Sequence, residues 1–294
     1  MLFRSVMFAT ASGGVRRNRL SDFWRVNQNG KIAMKLDEGD KLIGVSICTD
    51  EDDILLAAKN GKCVRFPVSD VRVFESRAST GVRGMKLAGG DAVISMSVIK
   101  HAKADIDKRD AYLKEAAARR RAAGGEEEVV EVESTSNTIL TPEEFEKMAQ
   151  DEEFILTLTS AGYGKRSSAY EYRITSRGTQ GVTNIKTDEG KRAADVVASM
   201  PVPAGSHIML VTDGGQLIRM RTDDIRIAGR STMGVILFRL GKNEKVVSAT
   251  CITDIGEEPE EETLPQESAE GTLTPEQSVE PESDEHVDLQ EKGE

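Results

Sequence analysis

Few residues in this sequence are spaced for covalent chemistry, and each set that comes close fails at a definable position. Gly162-Tyr-Gly-Lys-Arg-Ser167 resembles the end of a phosphate-cradling loop. However, residue 159 is Thr where the leading glycine belongs, and Arg166 stands where a Ser or Thr would hold Mg²⁺. The hairpin reading is the better one for that stretch. Asp50-Glu-Asp-Asp53 gathers carboxylates without the glycine and terminal Glu of a calcium loop, which leaves a solvated turn. His101, His207 and His286 are far apart, and Cys48, Cys63 and Cys251 make no Cys-x-x-Cys pair, so neither type forms a ligand set. The three thiols sit among apolar neighbours and read as reduced, buried and cytoplasmic. The sequence therefore assigns no catalytic residue, no cofactor site and no metal to this chain.

The basic residues carry more pattern. Arg65, Arg166 and Arg219 occupy one position of a recurring segment, and Arg17 matches them in its first copy. Arg77, Arg177 and Arg230 each precede a recurring glycine by four residues. With Arg16, Lys62, Arg83, Lys165 and Arg221 beside them, these side chains predict a positive belt on the outside of an array. Arg and Lys without interleaved aromatics suit phosphate contact rather than base stacking, hence a nucleic-acid duplex bound with little sequence preference. Exposed charges contribute little to stability. Reversing Arg65, Arg77, Arg166 and Arg177 is accordingly expected to weaken duplex binding and leave the fold intact.

What positions these residues is a repeat. Four segments align: Ala11–Arg17 with Gly30–Leu36 and Gly39–Ile43; Lys59–Arg65 with Gly81–Leu87 and Gly90–Ile94; Ser160–Arg166 with Gly181–Lys186 and Ala194–Val197; Asp213–Arg219 with Gly234–Leu240 and Asn243–Val247. The central glycines Gly30 and Gly81 are 51 apart, Gly181 and Gly234 are 53 apart, and Gly81 to Gly181 is 100. Each unit reads as strands: Ile54–Ala58 and Ile208–Thr212 lead through Asn60-Gly61 and Asp213-Gly214 turns into Lys62–Phe66 and Gln216–Arg221. A third strand follows the central glycine, and a fourth covers Ala92–Ile99 or Lys245–Ile252. Four strands in about 50 residues is the period of a propeller blade, and blades must stack to bury both faces. A recurrent central glycine marks a bulge or close backbone approach, so Gly81, Gly181 and Gly234 are expected to tolerate bulky residues badly.

The fold class is thus all-β and propeller-like, with two blades in residues 1–100, an acidic, partly helical insert in 101–153, two blades in 154–254 and a disordered acidic tail in 255–294. Asp107–Ala123 is rich in helix formers and ends at Gly124-Gly125, Glu126–Glu133 is an acidic run, and Thr141-Pro142 starts a second helix. The tail is Glu, Pro, Ser, Thr and Gln with scarcely any aliphatics. The net charge of −11 hides a split: the tail holds fifteen acidic residues and one basic, the insert fifteen and eight, and the remainder is about +10. A tethered polyanion competes for a basic groove, so removing the tail is expected to tighten duplex binding most at low salt. At 38% hydrophobic and 4% aromatic, the core must rest on Val, Ile, Leu and Met. No apolar run approaches the ~20 residues of a membrane span, and Val6–Ala11 is too short for a signal peptide.

Thr80-Gly-Val-Arg-Gly84, Gly162-Tyr-Gly-Lys-Arg166, Ser176-Arg-Gly-Thr-Gln-Gly-Val182 and Gly229-Arg-Ser-Thr-Met-Gly-Val-Ile-Leu237 resemble motifs of the DNA gyrase A C-terminal domain, over roughly residues 6–254 without the insert. The resemblance implies a six-bladed β-pinwheel that wraps double-stranded DNA on a basic rim, of which this chain holds about the last four blades. The Gln-Arg-Arg-Gly-Gly-Lys-Gly box of the first blade does not occur here. The resemblance also implies partnership with the remainder of gyrase A and with gyrase B in an A2B2 heterotetramer. ATP and Mg²⁺ belong to that complete enzyme, a topoisomerase that introduces negative supercoils. The chain alone, as a fragment or split-gene product without the breakage–reunion domain, is expected neither to hydrolyse ATP nor to relax plasmid. The alternatives are the corresponding domain of topoisomerase IV and a protein-binding propeller, which a salt titration of DNA affinity separates from a DNA wrapper.

Overall fold

Each repeat opens as a hairpin closed by a glycine turn, and the computed structural model, which describes residues 4–25, 28–101, 104–124, 138–187 and 194–253, shows how the rest of the repeat is used. The first blade has β1 (Ser5–Thr10), β2 (Gly14–Arg19) and β3 (Leu42–Cys48). The second repeat supplies β4 (Asp52–Ala58), β5 (Lys62–Pro67), β6 (Val82–Arg83) and β7 (Val93–Lys100). The third supplies β8 (Phe154–Thr159), β9 (Tyr163–Ser168), β10 (Val182–Thr183) and β11 (Val196–Pro201). The fourth supplies β12 (His207–Thr212), β13 (Leu217–Arg221), β14 (Val235–Ile236) and β15 (Val246–Ile252).

The sequence places the strand after each central glycine in its own blade; the structure places it in the blade before. The sheets run β3-β1-β2-β6, β10-β5-β4-β7, β11-β8-β9-β14 and β13-β12-β15. β6, β10 and β14 are thus donated backward to the outer edges of β2, β5 and β9, all antiparallel. The connecting segment is captured on the way. Phe74 N donates to Arg17 O at 2.8 Å, Thr175 N to Arg65 O at 2.9 Å and Ala228 N to Arg166 O at 2.8 Å, so the chain already runs beside the preceding blade before its glycine. Among the described residues, the fourth blade has three strands and receives no such strand.

The central glycines make this approach possible. Gly81, Gly181 and Gly234 have φ of +99°, +75° and +81°. A Cβ on Gly234 would stand 2.6 Å from the Gly164 carbonyl oxygen, and one on Gly81 or Gly181 closer still to that of Val15 or Cys63. Only a residue without Cβ fits both the left-handed backbone and the contact.

The core lies between blades rather than within one. β4 is buried along almost its whole length, and its pleat divides the residues. Ile54, Leu56 and Ala58 join Met7, Val15, Val64, Phe66 and Met85 between the first two blades, while Leu55 and Ala57 face Ile155 and Tyr172 of the third. Leu156, Leu158, Ala198, Ile208, Leu210 and Val246 fill the last junction. The strands β3, β7, β11 and β15 pack successively against one another, and the donated strands lie at the opposite edges.

The insert forms two helices. In α1 (Ile106–Ala122), Asp105 caps the start by accepting from Lys108 N at 2.8 Å. In α2 (Pro142–Asp151), Thr141 and Glu144 form a capping box with Pro at the first turn. Tyr112, Ala116, Leu140, Phe145 and Met148 bury one side of the pair against Tyr170 of the third blade, whose hydroxyl donates to Met148 O at 3.0 Å. The acidic run 126–133 and the tail 255–294 lie outside the described residues. Among the described residues, no helix is long and apolar enough to cross a membrane.

Candidate nucleic-acid interface

The expected rim set divides in the structure, and much of it is not on the surface. Arg16, Arg17, Arg65, Lys165 and Arg166 are buried. Three of them, Arg17, Arg65 and Arg166, extend from a blade's second strand into the turn that follows the second strand of the next blade. Arg17 donates through Nη1 to Val68 O (3.3 Å) and Val71 O (3.4 Å), and pairs with Asp50. Arg65 donates to Ala169 O (2.7 Å) and Tyr172 O (3.4 Å), to Lys100 O (2.8 Å) and, through Nε, to Asp53 (2.7 Å). Arg166 donates to Ile225 O (2.9 Å) and Asp223 O (3.2 Å), and pairs with the Asp223 carboxylate at 3.3 Å. Burial pulls the Arg166 guanidinium below its ordinary pKa, and Asp223 opposes that fall. Lys165 is likewise consumed by carbonyls. Its ammonium donates to Gly229 O and Arg230 O at 2.6 Å each and to Thr232 O at 3.0 Å, so the loop-like stretch around it does not fit a nucleotide phosphate.

The second arginine set is half-buried and also fastens blades. Arg77 donates to Ile32 O (3.2 Å), Arg177 to Arg83 O (2.9 Å) and Asp70 O (3.1 Å), and Arg230 to Thr183 O and Glu171 O (3.2 Å for the latter). Ile32, Arg83 and Thr183 are each two residues past a central glycine. The two recurrences therefore have a structural cause: every junction uses one arginine forward and one backward, each donating to backbone carbonyls of the neighbouring repeat. The rim assignment is corrected for Arg16, Arg17, Arg65, Lys165 and Arg166, which have no surface to offer. Reversing Arg65 and Arg166 would break the junctions themselves.

Of the remaining set, Lys62, Arg83, Arg219 and Arg221 are exposed. Lys62 Nζ lies 3.2 Å from Thr183 Oγ1 across the donated strand, and Arg219 Nε donates to His207 Nδ1 at 2.7 Å. A further group comes from the alignment. Lys35, Lys86, Lys186 and Arg239 stand five residues past the four central glycines, and all are exposed. Three of their backbones are held in place by the next blade: Lys35 N donates to Ser79 O (3.2 Å), Lys86 N to Thr179 O (2.9 Å) and Lys186 N to Thr232 O (3.2 Å). The residue just before each, in the donated segments, rests against the hairpin turn of the preceding blade, where Gly13, Gly61 and Gly162 face the carbonyls of Met85, Ile185 and Phe238. One exposed cation per repeat thus recurs at one register position. The signal that finds it is in the aligned segments: this position is basic in all four. Among the described residues, no cluster of His, Cys, Asp and Glu is arranged to hold a metal ion.

The family described as "DNA gyrase C-terminal domain, beta-propeller" matches residues 4–49, 52–100, 153–203 and 206–253, one blade-sized segment per repeat, with the helical insert between the second and third. The A subunit of DNA gyrase from Granulibacter bethesdensis is 53% identical over 254 residues, covering 83% of this chain and 27% of that protein. The protein of the same name from Rickettsia bellii is 49% identical, with 88% and 28% covered. That from Escherichia coli K12 is 34% identical, with 95% and 26% covered. The chain spans just over a quarter of the length of these curated relatives. Among solved structures, the C-terminal domain of DNA topoisomerase IV superposes with a TM-score of 0.63 at 18% identity, over 85% of this chain and 62% of that one. The DNA gyrase A C-terminal domain superposes with a TM-score of 0.60 at 21% identity, over 85% and 66%. Both likenesses are of fold.

Proposed function

This chain belongs to the family of DNA gyrase C-terminal domains, and on that premise we propose that it binds and bends duplex DNA along the edge that carries Lys35, Lys86, Lys186 and Arg239. The observation that carries this reading is their recurrence: four exposed cations in one register of a repeated fold. A row of cations at one position per blade would contact phosphates without reading bases, which suits bending rather than sequence recognition. Arg83 and Lys62 extend the row on the donated edge. In the complete assembly, with the remainder of gyrase A and with gyrase B, the bent DNA would be presented for strand passage, and ATP and Mg²⁺ would act on the other parts. Such an assembly would work in the cytoplasm. Relatives named as the A subunit of DNA gyrase favour this over a role in topoisomerase IV.

The test is a combined variant, Lys35→Glu, Lys86→Glu, Lys186→Glu and Arg239→Glu. Affinity for a duplex is expected to fall by more than about tenfold, and the slope of log affinity against log salt by about 3–4, near 0.9 for each phosphate no longer neutralised. The melting temperature should hold, because the four side chains are exposed. An unchanged salt slope would mean that DNA, if bound, is bound elsewhere.

A further inference from the structure

A third arginine recurs in the repeats, and among the described residues no acceptor consumes it. Arg25, Arg72, Arg173 and Arg226 each stand two residues after a 3-10 turn: Leu20–Phe23, Val68–Asp70, Ala169–Glu171 and Thr222–Asp224. Arg72 and Arg173 are exposed and Arg226 is half-buried. Unlike the two sets that fasten junctions, the side chains of these three make no hydrogen bond or ion pair among the described residues. Arg72 rests on the Phe74 ring, its guanidinium carbon 4.4 Å from the centroid, and Arg226 Nε is buried without a partner. A guanidinium whose donors are unspent is suited to a phosphate.

The backbone fixes where these arginines stand. Val73, Ile174 and Ile227, the residues that follow them, are level with Arg17, Arg65 and Arg166 of the preceding blade. Farther along the same edge, Gly84 N donates to Gly13 O (2.8 Å), Asn184 N to Gly61 O (2.8 Å) and Leu237 N to Gly162 O (2.9 Å). Each of those donors comes two residues before Lys86, Lys186 or Arg239. From Gly13 to Arg17, Gly61 to Arg65 and Gly162 to Arg166 is the same four-residue step, about 13 Å of strand. The donated edge of each of three blades therefore has two cation positions, one toward either end.

We propose that Arg72, Arg173 and Arg226 are a second set of phosphate contacts, through which each of these blades holds both strands of one duplex. This rests on the reading that the chain binds DNA along the edge carrying Lys86, Lys186 and Arg239. A duplex running from blade to blade crosses the strands of each blade, so the two cation positions lie across its axis rather than along it. Their separation is comparable to the width of the major groove, about 12 Å, so the strands on either side of a groove each receive one cation. Contacts to the phosphates of both strands fix the duplex on the edge without reading a base.

The test is the salt dependence of duplex affinity for the 294-residue chain carrying Arg72→Glu, Arg173→Glu and Arg226→Ala. The slope of log affinity against log salt is expected to fall by about 2–3, near 0.9 for each phosphate no longer neutralised, with affinity down more than about tenfold. The melting temperature should hold, and Arg72→Lys, Arg173→Lys and Arg226→Lys together should keep the slope, since an ammonium also neutralises a phosphate. Sharing between strands is read with the unaltered chain on a duplex whose phosphates are neutral methylphosphonates in one strand. Its slope should fall by about 3, because one set of cations then faces the neutral strand. An unchanged slope for the arginine variant, while reversal of Lys35, Lys86, Lys186 and Arg239 lowers it, overturns the second set and leaves the first standing. Unchanged slopes for both variants remove the reading on which the proposal rests. A loss of slope shared by the three-lysine variant, or tracking a fall in melting temperature, makes the arginines structural and overturns the proposal. An unchanged slope on the half-neutral duplex overturns the hold on both strands.

Discussion

Arg65→Ala is expected to lower the unfolding free energy by about 3–5 kcal/mol, the range for breaking a buried ion pair from one side. The guanidinium reaches four partners, two of them carbonyls of the third blade, and its removal leaves the Asp53 carboxylate fully buried with, among the described residues, His101 as its remaining side-chain partner, Nδ1 at 2.7 Å. Since a domain's whole stability is about 5–15 kcal/mol, much of the protein should be unfolded under mild denaturant. The comparison that gives this meaning is Arg219→Ala. That residue has the same place in its repeat but is exposed, and the change is expected to cost under about 1 kcal/mol. Urea denaturation of both variants decides the matter. If the two losses agree within error, the junction role of the first arginine set is wrong.

Gly181→Ala is expected to cost about 3–5 kcal/mol, combining left-handed backbone strain with an overpacked contact. The added methyl would press on the Cys63 carbonyl, which sits in the strand that β10 completes. Gly30→Ala separates the two contributions. Its φ of +74° is nearly that of Gly181, at +75°, but the space around it is open, so about 1–2 kcal/mol of backbone strain is all that should remain. Equal losses at the two positions would show that the backbone alone, and not strand donation, explains the glycine.

The repeat, its hairpins and the two capped helices were legible because each leaves a local trace: a turn dipeptide, a period, an N-cap residue. Strand donation left none. Val82–Arg83 and Val182–Thr183 are two-residue strands, and local sequence says that such a segment is extended without saying what it pairs with. The arginines misled for a related reason, since a charge that recurs in register reads the same whether it lines a surface or fastens a junction. The flanks held a clue. Arg65 lies between Val64 and Phe66 in a strand buried on both faces, where a cation must find carbonyls or a carboxylate. The row Lys35, Lys86, Lys186 and Arg239 was equally visible in the alignment, but it follows the central glycine rather than the hairpin, and only exposure distinguishes it.

Backward donation also sets a timetable for synthesis. A blade is finished only after the ribosome has moved well into the next repeat: Val82 comes 63 residues after Arg19, and Val235 comes 67 after Ser168. For the second blade the wait is longer, since Val182 comes 115 residues after Pro67, with the helical insert in between. The added length costs only about 0.5 kcal/mol in loop closure. In time it is larger: at about 5–20 residues per second, those roughly fifty extra residues hold the edge of β5 open for a further ~3–10 s. The nascent chain is therefore most open to mispairing between the second and third repeats, where helices emerge before the missing strand does.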